Sequence, residues 1–263
     1  MFDPQGTAYD LTGREGAPVV VLIHGLGLTR EITWRGMLHD LEAEFRVLNY
    51  DLLGHGESAV PHGTIDLTRL SEQLIALLDH LDISHAALMG FSLGGMINRR
   101  VAMDHPDRVR ALIILNSPHE RDPERQAQVE RQAQDSDSGG PAATLDAALA
   151  RWLTSDFTTE NKGMVDEIRA ILLANNADNY AKHRYVLAAG VTELIRPDPP
   201  LAQPMLVMTC AEDSGSTPAM SRAIAAESTN AQALILPDLK HMGLLERPDL
   251  FLPPCIRFLR SHA

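Results

Sequence analysis

Cysteine is scarce in this chain, whose 263 residues include only Cys210 and Cys255. A chain of this length can bury a sizeable core, so it needs no disulfide framework, and reduced thiols of a cytoplasmic protein are expected. Long hydrophobic runs are missing too. The longest apolar stretch near the start, residues 17–23, is too short to span a bilayer, and the first ten residues contain no Lys or Arg. The sequence therefore predicts a cytoplasmic protein with neither a signal peptide nor a membrane partner.

Basic residues are outnumbered and nowhere clustered. Twenty-three Lys and Arg against 35 Asp and Glu give a formal net charge of −12, and no Lys/Arg run forms a local basic stretch. Because such a chain repels polyanions, nucleic acid is not expected as a partner. P-loop, His-Glu-x-x-His and Cys-x-x-Cys motifs are absent as well, so no cofactor and no metal ion are expected. The sequence leaves the oligomeric state open between monomer and homodimer.

Short runs rich in Val, Ile and Leu alternate with segments of helical periodicity. The runs begin at Val19, Arg46, Ala86, Ala111, Met205 and Ala233. Nearly continuous apolar runs are typical of strands that are buried on both faces, and segments such as residues 67–81 carry Leu at helical spacing. This alternation predicts an α/β fold with a mostly parallel central sheet and helices on both faces.

One long segment, residues 118–200, interrupts the alternation because it contains helical patterns and no convincing strand. The pattern predicts helices at residues 141–153, 159–175 and 179–189, preceded by a charged helix that starts at Asp122-Pro123 and a small-polar linker at 136–141. A proline-rich run at residues 196–200 ends the last helix and returns the chain to the sheet. We therefore expect a helical cap, or lid, inserted between core residues 1–117 and 201–263, where it would carry much of the substrate specificity.

A Gly-x-Ser-x-Gly motif at residues 90–94 places Ser92 between a predicted strand and a predicted helix. A nucleophile elbow requires that order, since the flanking glycines let the backbone turn sharply and lift the serine hydroxyl clear of the sheet. The N–H of Leu93, at the start of the helix, can then face a developing oxyanion. The alternative is a tight turn in which Ser92 only caps the helix.

A serine nucleophile needs a base and an orienting acid, and both are present later in the chain. Asp213 and His241 each follow a predicted strand, in the order acid then histidine that the elbow fold uses. Glu212 is the alternative acid, but Asp213 has the better spacing from its strand. Of the eleven histidines, His241 alone lies between the last predicted strand and the final predicted helix. Its alternative interpretation is a surface loop histidine.

The turn at residues 24–27, after the first predicted strand, is expected to supply a second oxyanion donor, the N–H of Leu26. His24 is expected to support this turn and not to catalyse, because a better-placed histidine exists. The glycines of the turn, with Asp51 ending the next strand, also fit the start of a dinucleotide-binding fingerprint. Arg30 stands where the third glycine should be and would obstruct strand–helix packing, so dinucleotide binding is not expected.

These pieces in this order resemble the α/β-hydrolase superfamily over nearly the whole chain. The pieces are residues 24–27 with Trp34, residues 51–58, the elbow at Ser92, residues 212–213 and His241. Within the superfamily, residues 151–157 and 179–181 resemble segments of 3-oxoadipate enol-lactonases and related small serine carboxylesterases. The resemblance implies the α/β-hydrolase fold and a purely structural turn at residues 54–58. A short N-terminus predicts that the leading hairpin of the family is trimmed.

The residues and the resemblance together predict a serine hydrolase, acting on a small-molecule carboxylic ester or lactone. Ser92 would attack the carbonyl, with His241 as the base and Asp213 as the residue that orients it. The N–H groups of Leu26 and Leu93 would form the oxyanion hole. The resulting acyl-enzyme would be hydrolysed by water.

Three residues are candidates for substrate binding. Trp34 lies either beside the pocket or in the core. Arg151 either pairs with a substrate carboxylate or is a solvated helix residue paired with a nearby acid. Trp152, beside it, either lines the pocket or packs in the core.

Other functions fit the same residues. The triad also serves C–C bond hydrolases of ring-cleavage products and cofactor-free perhydrolases. A function of another class is a ligand sensor that hydrolyses slowly or not at all and signals through its cap. Dehalogenases and epoxide hydrolases are disfavoured because their families use Asp in the position of Ser92.

Overall fold

Seven strands form one sheet in the part of the chain described by the computed structural model, residues 1–135 and 140–263. They are β1 (Tyr9–Gly13), β2 (Val19–Ile23), β3 (Arg46–Tyr50), β4 (Ala86–Phe91), β5 (Val109–Leu115), β6 (Met205–Cys210) and β7 (Ala231–Leu236). Their order across the sheet is β1-β3-β2-β4-β5-β6-β7, and only β1 runs antiparallel to its neighbour. The predicted α/β architecture with a mostly parallel sheet is thus confirmed.

The central strands are buried as the apolar runs predict, whereas the two edges differ from the prediction. Every residue of β4 and β6 is buried. The middle of β7 is exposed, because this strand closes the sheet and has a neighbour on one side only. Strand β1 was not predicted, because its polar residues form no apolar run. A bridge between Phe2 and Ala8 precedes β1, so a short form of the leading hairpin is present.

Helices cover both faces of the sheet. They are α1 (Arg30–Trp34), α2 (Leu38–Glu44), α3 (Leu67–His80), α4 (Leu93–Asp104), α10 (Pro218–Ala226), α11 (Gly243–Glu246) and α12 (Pro248–His262). Alternate residues of a strand point to opposite faces. Accordingly, Val21 and Ile23 belong to one hydrophobic cluster with α3 and α4, while Val20 and Leu22 belong to a second with α1 and α12. No helix in the described residues is both long and apolar enough to cross a membrane.

Among the described residues, five α-helices lie between β5 and β6, and we call this segment the cap. They are α5 (Pro123–Asp135), α6 (Leu145–Trp152), α7 (Ser155–Glu160), α8 (Lys162–Ala174) and α9 (Ala177–Ala189). The prediction of a single helix at residues 159–175 is wrong, because α7 ends before Asn161 and α8 begins after it. The hydroxyl of Thr154 caps the start of α7 by accepting the N–H of Phe157. Most of the linker predicted at residues 136–141 lies outside the described residues. The limits of the cap and core as separate units stay a prediction.

Candidate active site

A strained turn between β4 and α4 presents Ser92. The φ angle of Ser92 is +54°, in a region that non-glycine residues rarely adopt, and such strain concentrates at functional sites. The turn is possible because Gly90 and Gly94 have no side chains. A Cβ on Gly94 would collide with the carbonyl oxygen of Ile23, and one on Gly90 with that of Gly94. The Gly-x-Ser-x-Gly pattern is therefore required by close backbone packing beneath the serine.

Ser92, His241 and Asp213 form one hydrogen-bonded chain, although they are far apart in sequence. His241 Nε2 lies 3.2 Å from Ser92 Oγ, and its Nδ1 lies 2.7 Å from Asp213 Oδ2. Loops after β4, β6 and β7 carry the three residues, at the carboxyl ends of parallel strands of the same sheet. With Nδ1–H donating to Asp213, Nε2 is free to accept the proton of the serine hydroxyl.

Asp213 is held as an anion by donors on both of its oxygens. Oδ1 accepts the N–H groups of Gly215 and Ser216, both at 2.9 Å, and Asn116 Nδ2 donates to Oδ2 at 2.9 Å. Burial acts to raise the pKa of Asp213, but the His241 ring and these hydrogen bonds outweigh burial, and the pKa is lowered. Asn116 was not predicted as a site residue. Its position at the carboxyl end of a predicted strand was the available signal, since sites of open α/β sheets lie at that edge.

The cap contacts the histidine loop directly. The N–H of Met242 donates to the carbonyl of Trp152 at 2.9 Å, and Lys240 Nζ donates to the carbonyl of Ala150 at the same distance. The Trp152 ring lies 6.2 Å from the His241 ring, and the Phe91 ring lies 5.3 Å from it. His241 is thus placed by aromatic rings from both the sheet and the cap.

Two backbone N–H groups beside Ser92 are unused. Neither the N–H of Leu26 nor that of Leu93 donates a hydrogen bond to any described residue. Leu93 is the first residue of α4, where N–H groups have no partner within the helix. The other turn approaches closely as well, because a Cβ on Gly25 would lie 3.3 Å from the Cβ of Ser92. Both N–H groups are therefore available as hydrogen-bond donors.

A cavity of about 1370 Å³ lies between the cap and the edge of the sheet that carries Ser92. Ser92 and His241 border it on the side of the sheet, and Arg151 and Trp152 border it on the side of the cap. Trp34 is not a cavity residue. Its side chain is fully buried among the α1 and α12 residues that cover one face of the sheet. The candidate role of Trp34 in substrate binding is therefore wrong, because its indole fills the core.

The turns that resembled a dinucleotide site have structural roles. His24 donates from Nδ1 to the carbonyl of Gly25 at 2.8 Å and accepts the N–H of Leu52 on Nε2 at 2.9 Å, so it ties two loops together. The carboxylate of Asp51 accepts hydrogen bonds from the backbone N–H and from the guanidinium of Arg30. The carboxylate that would bind a ribose is thus already engaged.

Three buried histidines join the core to the cap. The ring of His55 lies 5.3 Å from that of His24 and 4.6 Å from that of His183 on α9, edge to face in both cases. Burial lowers the pKa of all three, and that of His183 falls to about 4. Nε2 of His55 and Nε2 of His183 have no hydrogen-bond partner among the described residues. In that same part of the chain, no group of three or more His, Cys, Asp or Glu side chains is placed to hold a metal ion.

Acid is expected to destabilise the protein through His183. An unfolded histidine takes up its proton near pH 6.5, but folded His183 does so only near pH 4, so the free energy of unfolding falls as the pH drops through this window. The full difference corresponds to about 3 kcal/mol. The variant His183→Phe keeps a ring against His55 and cannot be protonated, so it should lose less stability than wild type between pH 7.5 and 4.5 in urea unfolding. The variant His62→Gln, at an exposed histidine, should follow wild type. Parallel pH dependence for His183→Phe and wild type would contradict the prediction.

Comparisons with known proteins decide the family. The sequence model of the family described as alpha/beta hydrolase fold matches residues 18–150 of this chain. The chain belongs to the α/β-hydrolase fold family. This α/β-hydrolase is 28% identical to 3-oxoadipate enol-lactonase 2 of Acinetobacter baylyi over 244 residues, which cover 92% of the chain and 89% of the relative.

Solved structures of other α/β-hydrolases share this fold. The enol-lactonase of Burkholderia xenovorans LB400 is 30% identical with a TM-score of 0.87, and the match covers 97% of this chain and 96% of that one. A thermophilic esterase of Thermogutta terrifontis is 27% identical with a TM-score of 0.84, over 97% and 93% of the two chains. The superfamily and the lactonase-like resemblance expected from the sequence are confirmed, and the α/β-hydrolase is a hydrolytic enzyme.

Proposed function

We propose that this α/β-hydrolase cleaves carboxylic esters or lactones through an acyl-enzyme on Ser92. The observation that carries the proposal is the hydrogen-bonded chain from Ser92 through His241 to Asp213 at the edge of a large cavity. As Ser92 Oγ attacks the carbonyl carbon, His241 Nε2 takes its proton. Asp213 keeps the imidazole in the tautomer that can accept this proton and then stabilises the imidazolium.

The remaining steps use the same groups. The carbonyl oxygen becomes an oxyanion that the N–H groups of Leu26 and Leu93 bind, a contribution of about 3 kcal/mol per donor in other oxyanion holes. When the intermediate collapses, His241 gives its proton to the departing alcohol oxygen, and Ser92 keeps the acyl group. His241 then takes a proton from water as the water attacks the acyl carbon, and gives that proton to Ser92 Oγ as the bond between Oγ and the acyl carbon breaks. From a lactone, the alcohol and the acid remain parts of one product.

The choice of ester and lactone bonds rests on the relatives as well as on the residues. Enol-lactonases and an esterase match this chain over nearly its full length, at 27% to 30% identity. A serine triad with two free N–H donors suits acyl transfer from oxygen. The cavity is large enough for a small-molecule substrate of either type.

The test is steady-state hydrolysis of aryl esters with short and medium acyl chains, followed by labelling with a fluorophosphonate. We expect many turnovers per protein molecule, and a single phosphonate adduct on the peptide that contains Ser92. A single burst of product without turnover would contradict the proposal and favour a ligand sensor. An adduct on another serine would overturn the assigned nucleophile.

A further inference from the structure

Most of the charged side chains on the cap side of the cavity are arginines. Arg121, Arg125, Arg151 and Arg184 all border the cavity, and none of them forms an ion pair with any described residue. Arg151 is an exposed helix residue, as one of its two interpretations has it, but the acid partner of that interpretation is not found among the described residues. The whole chain carries a net charge of −12, so a local group of unpaired arginines makes this cavity differ from the rest of the molecule.

The carboxylates that border the cavity do not neutralise these arginines. Asp213 is bound to His241, and Glu120 forms an ion pair with Arg196. Asp122 accepts the backbone N–H of Arg125 at 2.9 Å, as a cap at the start of α5. Arg121 and Arg125 donate to the side chains of Gln126 and Gln128, whereas no hydrogen bond or ion pair joins the guanidinium groups of Arg151 and Arg184 to a described residue.

Two of the arginines border the same cavity as Tyr180. Tyr180 and Arg184 are four residues apart on α9, so they share one face of that helix. Arg151 belongs to α6. Burial raises the pKa of Tyr180, and the positive charges of Arg184 and Arg151 act against this rise. Three donors from two helices thus border one cavity.

The tyrosine also connects this part of the cavity to the expected oxyanion hole. Its ring packs against Gly27, whose φ is +75°, and a Cβ there would lie only 2.8 Å from Tyr180 Cε2. Gly27 follows Leu26, whose free N–H points to an oxyanion role. The position of Tyr180 relative to the scissile carbonyl is therefore set by direct contact with that turn.

We propose that Arg151, Arg184 and the hydroxyl of Tyr180 bind a carboxylate that the substrate carries in addition to its scissile ester or lactone bond. This inference rests on the proposed function. All three groups donate hydrogen bonds, and guanidinium–carboxylate hydrogen bonds are among the strongest in proteins. Because the site has a defined position next to the Leu26 turn, a bound carboxylate places the scissile carbonyl at Ser92. The enzyme then selects acidic substrates with one preferred chain length.

The test compares aryl monoesters of succinate, glutarate and adipate with the corresponding methyl-capped, neutral diesters. Wild type is expected to prefer the acid over its neutral partner by about tenfold or more in kcat/KM at the best chain length. Hydrogen bonds to charged groups contribute about 1.5–3 kcal/mol, so Arg184→Gln and Arg151→Gln should each lower kcat/KM for the acid by about 10- to 100-fold. Neutral diesters should change by less than about twofold, and Tyr180→Phe should lose less than either arginine variant.

Arg125→Gln is the matched control, because it removes the same charge from the same cavity but not from the Tyr180 group. We expect it to keep the preference for the acid. If Arg125→Gln and Arg184→Gln lost equal amounts of kcat/KM for the acid, the preference would come from the overall positive charge of the cavity. That result would overturn the carboxylate site. Equal hydrolysis of acidic and neutral esters by wild type would overturn it as well, while leaving the proposed function intact.

If no ester is turned over, the binding of glutarate tests the carboxylate site independently of the proposed esterase function. Calorimetry at low salt should show glutarate binding to wild type and at least tenfold weaker binding to Arg184→Gln, by the same energies. Glutarate that binds both proteins equally, or binds neither, would overturn the carboxylate site. Absence of turnover with intact, Arg184-dependent binding would overturn the esterase proposal and support the site.

Discussion

Replacement of Ser92 by alanine is expected to lower kcat for aryl esters by about 10⁴- to 10⁶-fold, as removal of a serine nucleophile does in other triad enzymes. Without Oγ no acyl-enzyme can form, and His241 can only act on water against an oxyanion held by the two N–H groups. Residual hydrolysis from binding and the oxyanion hole alone is therefore the upper limit. The variant should fold as wild type does, because Ser92 Oγ contacts His241 and makes no other side-chain hydrogen bond to a described residue.

The matched control for this experiment is Ser214→Ala. Ser214 borders the same cavity beside Asp213, is exposed and makes no hydrogen bond to His241. It should hydrolyse aryl esters at the wild-type rate. Steady-state rates of both variants and wild type, with thermal unfolding curves to check folding, decide the question. A Ser92→Ala protein that retains more than about one per cent of kcat would contradict the proposed mechanism.

The features that were predictable from sequence are those that local pattern determines. Strands β2 to β6 are flanked by other strands and covered on both faces, so their sequences are nearly continuous apolar runs. The elbow is equally local, since Gly90, Ser92 and Gly94 lie within five residues and the turn that presents Ser92 requires both glycines. Asp213 and His241 could be predicted because the fold places them at fixed positions after particular strands.

The features that were not predictable depend on tertiary position. The strand β1 is polar because it lies at an edge, and β7 is apolar in sequence yet exposed for the same reason. Trp34 follows the first turn closely enough to reach the cavity, and only the packing of α1 against α12 shows that it points into the core. Burial of a single side chain is a property of its neighbours and not of its local sequence.

Single polar contacts between distant residues are the hardest to predict. Asn116 donates to an oxygen that is 97 positions away in sequence, and no spacing rule connects the two residues. The histidine cluster likewise joins His24 and His55 of the core to His183 of the cap. Arg151 could be singled out from sequence, but that it borders the same cavity as Arg184 depends on where α6 and α9 lie in the fold. Such contacts have no periodic signal, and a structure is needed to find them.

The substitution Asp213→Asn is expected to lower kcat by about 10⁴-fold, the effect that the same change has in a serine protease triad. The N–H groups of Gly215 and Ser216 both point at Oδ1 of the present aspartate, so the amide oxygen of the new side chain would stay there. Its NH₂ group would then face His241 Nδ1 and the Asn116 amide, which are both donors in the wild-type protein. His241 could accept that NH₂ only by moving its own proton to Nε2. A protonated Nε2 cannot take the proton of Ser92, so the attack loses its base.

The rival acid supplies the control for this change. The side chain of Glu212 is exposed, and its backbone N–H binds the carbonyl of Leu239, so Glu212→Gln should keep wild-type kcat for aryl esters. Phosphonate labelling of Ser92 should slow in Asp213→Asn and not in Glu212→Gln, because labelling needs the same proton transfer. If the two variants lost activity equally, Asp213 would not be the orienting acid. If only Glu212→Gln lost activity, Glu212 would be the orienting acid. Its carboxylate would have to reach His241 after a movement of the loop, since in this structure Nδ1 of His241 is hydrogen-bonded to Asp213.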